Sequence, residues 1–181
     1  MPVLAPEFKE IISSLSTEEK EKIIFRICKK NKDIYETLLF EYMKDESGRD
    51  FFKETKNEIA SQFTCFWSRV IQKELARAVT HSIKAINRFA SITNDKKQEA
   101  DLLNFLLKII FTEFSEELGT CWTTFDSKVG TATRRLLNLV NKKLHEDHHI
   151  EYKADINSYI KILKSKCGHL DSVFNMPDSL D

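Results

Sequence analysis

The chain has 181 residues, of which 41% are hydrophobic and 31% are charged, and its 28 basic and 28 acidic residues cancel. This composition excludes a disordered chain, and the lack of a cationic excess argues against a nucleic-acid-binding protein, although a local basic patch is compatible with it. A chain of this length can bury roughly 70% of the surface that it exposes when unfolded, which is enough for one structural domain.

Glycine and proline are too rare and too widely spaced for a sheet of strands joined by hairpins. Prolines occur only at positions 2, 6 and 177, and glycines only at positions 48, 119, 130 and 168. Strands joined by hairpins need such residues roughly every 8–12 positions. The sequence therefore predicts an all-α fold, which we expect to be a helical bundle or short α-superhelix of about six helices with an N-terminal helical hairpin.

The first helices carry clear start signals. Pro6 can open a first short helix. The second begins with a capping box, in which the Ser16 hydroxyl accepts from the third helical N–H and the Glu19 carboxylate reaches back to the backbone. Its acidic residues come first and its basic residues last, as the helix dipole favours. Asn31 then caps a third helix, whose apolar positions recur at i, i+4 and i+8.

Longer helices follow. Residues 49–92 contain no glycine or proline and predict either one long helix or two joined by a kink. Residues 95–118 form the most apolar helix, which we expect at the centre of the fold because it is apolar on more than one face. Residues 122–146 and 152–167 predict two further helices.

The predicted organisation is an N-terminal helical hairpin (1–46), a main helical bundle (47–170) and a flexible tail (171–181), together one structural domain. No secretory signal or transmembrane stretch is recognisable, so we expect a cytoplasmic protein. The four cysteines contain no C-x-x-C pair, which predicts reduced thiols rather than a zinc or redox site.

One short motif is typical of a metal-binding catalytic site. Residues 145–149 read H-E-x-x-H, which in zinc peptidases places two imidazoles one helical turn apart beside a glutamate that activates water. On this hypothesis His145 and His149 bind a divalent metal and Glu146 is the catalytic base. A third ligand could come from Glu151, Asp155 or His169. The alternative is a solvated helix end, with the histidines near a helix C-terminus, where the dipole suits them.

A basic cluster ends the second helix. Its members are Arg26, Lys29, Lys30 and Lys32. They are candidates for contacting a phosphate or nucleotide; the alternative is pairing with the helix dipole and a contribution to solubility.

Aromatic residues are numerous, with 13 phenylalanines and two tryptophans. Most should be in the core, and any that are exposed would mark an interface. No other enzymatic pattern is recognisable. The leading hypothesis is therefore a non-enzymatic helical interaction module, as a homo-oligomer or with a protein partner, and the metal-dependent hydrolase is its alternative.

Three segments have a recognisable pattern: residues 15–26, residues 29–32 and residues 144–152. They resemble a set of short all-helical bacterial proteins for which no activity is established. The resemblance implies an all-α fold and no particular chemistry. It also implies that the second histidine of the H-E-x-x-H motif need not recur.

Overall fold

The computed structural model describes residues 5–42, 50–64, 66, 70–120 and 123–180. Within these ranges the only regular secondary structure is helical, which confirms the predicted all-α class. The chain divides into two compact units, an N-terminal unit (1–48) and a main unit (49–181). No helix of the described ranges is long and apolar enough to cross a membrane.

The N-terminal unit contains α1 (Pro6–Ser14), α2 (Thr17–Lys30) and α3 (Lys32–Tyr42). The predicted capping box of α2 is confirmed: the Glu19 N–H donates to the Ser16 hydroxyl at 3.3 Å, and the Ser16 N–H donates to the Glu19 carboxylate at 2.9 Å. Asn31 separates α2 from α3, and its side-chain oxygen accepts from the N–H groups of Asp33 and Ile34. A single residue therefore joins two helices that contact each other.

The main unit contains α4 (Phe51–Ser61), α5 (Ile71–Thr93), α6 (Lys96–Glu113), α7 (Thr123–Lys143), α8 (Glu146–Cys167) and α9 (Asp171–Phe174), with a 3-10 turn at Ser115–Glu117. The described residues thus form nine α-helices, against about six expected. One reason for the difference is that residues 49–92 form two helices, α4 and α5, separated without any glycine or proline.

Short connections reverse the chain direction. Asn94 ends α5 in the left-handed conformation (φ 51°), and the Asp95 carboxylate starts α6 by accepting from the Gln98 N–H at 2.9 Å. Only two residues connect α5 to α6, and only two connect α7 to α8. The two helices of each pair therefore run in opposite directions.

Alternate helices run parallel. Lys128 of α7 bonds to Thr80 of α5, and Arg135 bonds to Asn87, so both pairs are separated by 48 residues. In the same way Tyr152 of α8 bonds to Asp101 of α6, and Asn104 of α6 bonds to Asp155 of α8, each 51 residues apart. Such constant offsets are possible only between helices that point in the same direction.

The core centres on α6, which contacts α4, α5, α7 and α8. Leu102, Leu103, Leu106 and Ile110 of this helix are fully buried. The expectation that the most apolar helix is central is therefore confirmed. Cys28 is half-buried and Cys167 is buried, both as free thiols, whereas Cys65 and Cys121 lie outside the described residues.

The C-terminal segment is packed, although the sequence predicts a flexible tail there. Val173, Met176 and Leu180 are buried, and α9 contacts α7 and α8. A Cβ on Gly130 of α7 would lie 2.8 Å from the Ser172 hydroxyl oxygen, so this glycine allows the close approach of α9. Three apolar residues spaced three or four apart are enough to anchor a segment too short to show a clear helical period.

Candidate functional site

The described part of the N-terminal unit, residues 5–42, has helices but no apolar core. Among residues 5–42 the only buried residue is Glu36, whereas every buried apolar side chain of the described residues belongs to the main unit. Eight large apolar side chains of this unit are exposed and are called here the N-terminal apolar surface: Phe8, Ile11, Ile24, Phe25, Ile27, Ile34, Tyr35 and Tyr42. The main unit exposes only Ile150 and Phe174 among its described residues.

The N-terminal apolar surface includes a concave site between α2 and α3. Phe25, Cys28, Lys29 and Tyr35 line a depression of about 490 Å³. Phe25 is 62% exposed, although a phenylalanine on an isolated monomer is normally buried. An open depression with aromatic walls and one cation can receive an apolar side chain whose neighbours are acidic.

The predicted phosphate-binding residues lie at the end of α2 and the start of α3, and all are exposed. Arg26, Lys29 and Lys30 belong to the last turns of α2, and Lys32 begins α3 with its Nζ 3.6 Å from the Glu36 carboxylate. A helix C-terminus presents carbonyl groups and a negative dipole end, which disfavours a phosphate. Because Lys29 lines the same depression as Phe25 and Tyr35, these cations form the basic edge of an apolar surface.

The H-E-x-x-H segment spans a helix boundary. His145 is the N-cap of α8, with φ −68° and ψ 150°, so it lies outside the helix that contains Glu146 and His149. Its Nδ1 lies 3.0 Å from the Asp147 carboxylate and 3.4 Å from the Asp147 backbone nitrogen, so this side chain contacts the first turn of α8. The motif requires both imidazoles on one helix, and that relation is absent here.

The position of these histidines relative to the helix dipole also differs from the prediction. The sequence places them near a helix C-terminus, but α7 ends at Lys143 and they stand at the N-terminus of α8. The positive end of the helix dipole lies there, and it favours the carboxylates of Glu146 and Asp147. His149 is partly buried, and its Nε2 has no hydrogen-bond partner within the described residues.

Two of the three side chains proposed as third ligand, Glu151 and Asp155, have other partners. Glu151 binds His148 at 3.1 Å and Lys97 at 3.0 Å, and these hydrogen bonds lower the pKa of its carboxyl group. Asp155 accepts from Asn104 at 2.9 Å. In the ranges that the structure describes, no three His, Cys, Asp or Glu side chains are grouped so that they could hold a metal ion.

The sequence does not distinguish Phe25 and Ile24 as exposed residues, because an apolar position at helical spacing looks the same whether it faces a core or solvent. Helix length gives no signal either, because α3 and α4 both have 11 residues but only α4 buries apolar side chains. No protein-family model, curated protein or solved structure matches this chain. Its function therefore has to be inferred from its own residues.

Proposed function

We propose that this chain is a non-enzymatic helical protein-interaction module that self-associates through its N-terminal apolar surface. One observation carries the proposal: residues 5–42 form three helices, bury no apolar side chain and expose eight large ones. A helical unit of fewer than 50 residues has little stability without a core, a staple or a partner. Association supplies the missing burial.

The proposed architecture is an N-terminal helical hairpin attached to a helical bundle. The contact between α2 and α3 across the single residue Asn31 supports the hairpin. The alternating directions of α5 to α8 support the bundle. In this arrangement the bundle has its own core, and the hairpin presents the surface for association.

The charge order of α2 makes it complementary to a second copy of itself. Glu18 and Glu21 lie in its first half, and Arg26 and Lys29 in its second half. When two copies pack antiparallel with Phe25 near the two-fold axis, Glu18 of one copy faces Lys29 of the other, because both lie on the same face of α2 as Phe25 and the residue numbers of facing positions have a constant sum. A symmetric dimer can use such a surface twice.

The first test is the association state of the full chain, measured by sedimentation equilibrium of wild type, Phe25→Glu and Ile150→Glu. Each dimer would bury two Phe25 side chains, which contribute about 1.5–3 kcal/mol each, so Phe25→Glu should weaken association at least about a hundredfold. Ile150→Glu is the matched control, because it places the same charge on an exposed apolar position of the main unit.

A monomeric wild type at the highest soluble concentration would refute self-association, as would an equal effect of the two variants. A charge exchange tests the antiparallel pairing itself. Glu18→Lys and Lys29→Glu should each weaken the dimer, and both together in one chain should restore it, because every facing pair is then again of opposite sign.

The alternative is a metal-binding protein or metal-dependent hydrolase that uses His145, Glu146 and His149. One observation favours it, the buried and unpartnered Nε2 of His149. Zinc should then raise the melting temperature of the wild type but not of His149→Ala. Equal melting temperatures with and without zinc would leave the interaction module as the better hypothesis.

A further inference from the structure

A groove runs between the parallel helices α5 and α7 of the main unit. Two adjoining depressions of about 290 and 260 Å³ are lined by both helices, and a third of about 470 Å³ continues along α7 alone. The first two share Thr80 and Lys128, and the first and third share Thr131 and Arg135. Shared walls make them one continuous groove, called here the α5–α7 groove.

The groove between α5 and α6 and the groove between α6 and α7 are each covered by a further helix. Helix α4 contacts both α5 and α6, and α8 contacts both α6 and α7. Helix α6 contacts both α5 and α7 as well, but no α6 residue lines the three depressions, so within the described main unit their side of the α5–α7 pair has no covering helix. A concave surface of this kind, formed by rigid helices, is a usual place for a ligand.

Every charged residue that lines the α5–α7 groove is basic. Helix α5 contributes Lys73, Arg77 and Lys84, and helix α7 contributes Lys128, Arg134, Arg135, Lys142 and Lys143. The whole chain has equal numbers of acids and bases, so this is a strong local segregation of charge. Only charges within about 10 Å act strongly on a ligand at physiological salt, so the zero net charge does not cancel it.

Several of these cations have no carboxylate partner. Arg135 pairs with Glu99 at 2.7 Å, and Arg77 pairs with Glu74 at 3.2 Å. By contrast Lys84, Lys128 and Lys142 form no ion pair with any described residue. Their charge is available to an anion in the groove.

The cations are spaced regularly along the groove. Lys128, Arg135 and Lys142 are seven residues apart, so they lie on one side of α7 about 10 Å from each other, and the series covers about 21 Å. Lys84 faces them from α5. Hydroxyl groups lie between the cations, and the Lys128 Nζ is held in place by donating to the Thr80 hydroxyl oxygen at 2.7 Å.

We propose that the α5–α7 groove binds an extended chain of phosphate groups. Lysine and arginine alternating with serine and threonine are the side chains that contact phosphate oxygens most often. The regular spacing over about 21 Å suits a ligand whose negative charge repeats, rather than a single anion. Inorganic polyphosphate and the backbone of a single-stranded nucleic acid share this chemistry. This inference is independent of the proposed self-association, because it concerns different residues and a different ligand.

The test is fluorescence anisotropy with a labelled single-stranded oligonucleotide and the full chain, at salt concentrations from 50 to 200 mM. If about five cations are engaged, the affinity should fall about a hundredfold over this range. Unlabelled inorganic polyphosphate should displace the oligonucleotide if the phosphate chain is the recognised group. Binding of polyphosphate alone would identify the inorganic polymer as the ligand.

Two double variants test whether the phosphate polymer binds in the α5–α7 groove. Lys84→Gln combined with Lys128→Gln should weaken binding roughly tenfold or more and make it less dependent on salt. Lys153→Gln combined with Lys161→Gln is the matched control, because these two lysines are exposed on α8 away from the groove lining. The control should bind like wild type, and unchanged melting temperatures would show that both variants are folded.

Three outcomes would overturn the proposal. The first is no binding of either phosphate polymer at 50 mM salt. The second is an equal loss of affinity in the groove variant and in the control variant. The third is displacement by poly-glutamate as effective as displacement by polyphosphate at equal charge, which would point to an acidic protein segment as the occupant.

Discussion

The N-terminal unit and the main unit use the same local signals but differ in what they bury. Both begin helices with side-chain caps, Ser16 for α2 and Asp95 for α6. The main unit buries α6 under four other helices, whereas the N-terminal unit buries no apolar side chain among its described residues. Caps and periodicity are thus sufficient to form helices, but only opposing apolar surfaces make them an independently stable unit.

The largest difference between the two units should appear on truncating one phenylalanine in each. Phe89 of α5 is fully buried and contacts the Phe52 ring, so Phe89→Ala should cost about 3–5 kcal/mol. Phe25→Ala should leave the unfolding of the main unit unchanged within about 0.5 kcal/mol. Urea denaturation monitored by circular dichroism measures both, and a comparable cost for Phe25→Ala would show that the N-terminal unit has a core.

Removal of a buried ion pair comes next in size. Glu99 is buried and binds Arg135 at 2.7 Å and Lys96 at 2.9 Å. Arg135→Gln should destabilise the main unit by about 2 kcal/mol, because a charge-assisted hydrogen bond to a buried carboxylate is lost. The chain offers Lys161→Gln as a control, an exposed lysine of the same unit.

This ion pair also predicts an acid dependence. Burial tends to raise the pKa of Glu99, but hydrogen bonds from Arg135 and Lys96 outweigh it and hold the pKa below 4.5. Its stabilisation is therefore complete above pH 4.5 and is lost as the pH falls through the folded-state pKa. The loss of melting temperature on acidification should be smaller in Arg135→Gln than in wild type, and an unchanged profile would contradict this role of Arg135.

A buried acid of α7 should show the opposite sign. Burial raises the pKa of Asp126 above its usual 3.8, although the Gly119 N–H donates to its carboxylate at 3.2 Å. Its ionisation therefore costs stability as the pH rises through the raised pKa. Asp126→Asn should therefore be more stable than wild type at pH 7, and the difference should disappear below pH 3.8. Melting temperatures of both proteins at pH 7 and below pH 3.8 test this prediction. A variant less stable than wild type at pH 7 would show that ionisation of Asp126 does not destabilise the fold.

The smallest effect is expected at a cap. Ser16→Ala removes the acceptor of the Glu19 N–H and should destabilise α2 by about 1 kcal/mol. Because α2 is not buried in a core, this change should raise hydrogen exchange in residues 17–21 without lowering the melting temperature of the main unit. Asp95→Ala, the matched change at the cap of α6, should lower that melting temperature. If both variants changed it equally, the two units would not differ in how their helices are stabilised.

Helix positions could be predicted well and the candidate sites less well. The Ser16 cap of α2, the start of α6 after Asp95 and the end of α8 at Cys167 agree with the predicted cap and bounds, because they follow from side-chain chemistry within a few residues of each boundary. The boundary between α7 and α8 is predicted at residues 147–151 but lies at Leu144 and His145, because neither of these two residues is a glycine or a proline. That error placed His145 inside a helix and made the metal motif look better formed than it is.

The sequence by itself determined that this chain is all-helical, where most of its helices start, and that α6 lies at the centre, because these properties depend on neighbouring residues and on hydrophobic period. Only the tertiary structure decided which apolar residues of the first three helices lack a cover, how residues 171–180 are held, and that bases from α5 and α7 line one groove. Those properties depend on which helix faces meet, and residues 48 positions apart in the chain carry no local signal of their contact.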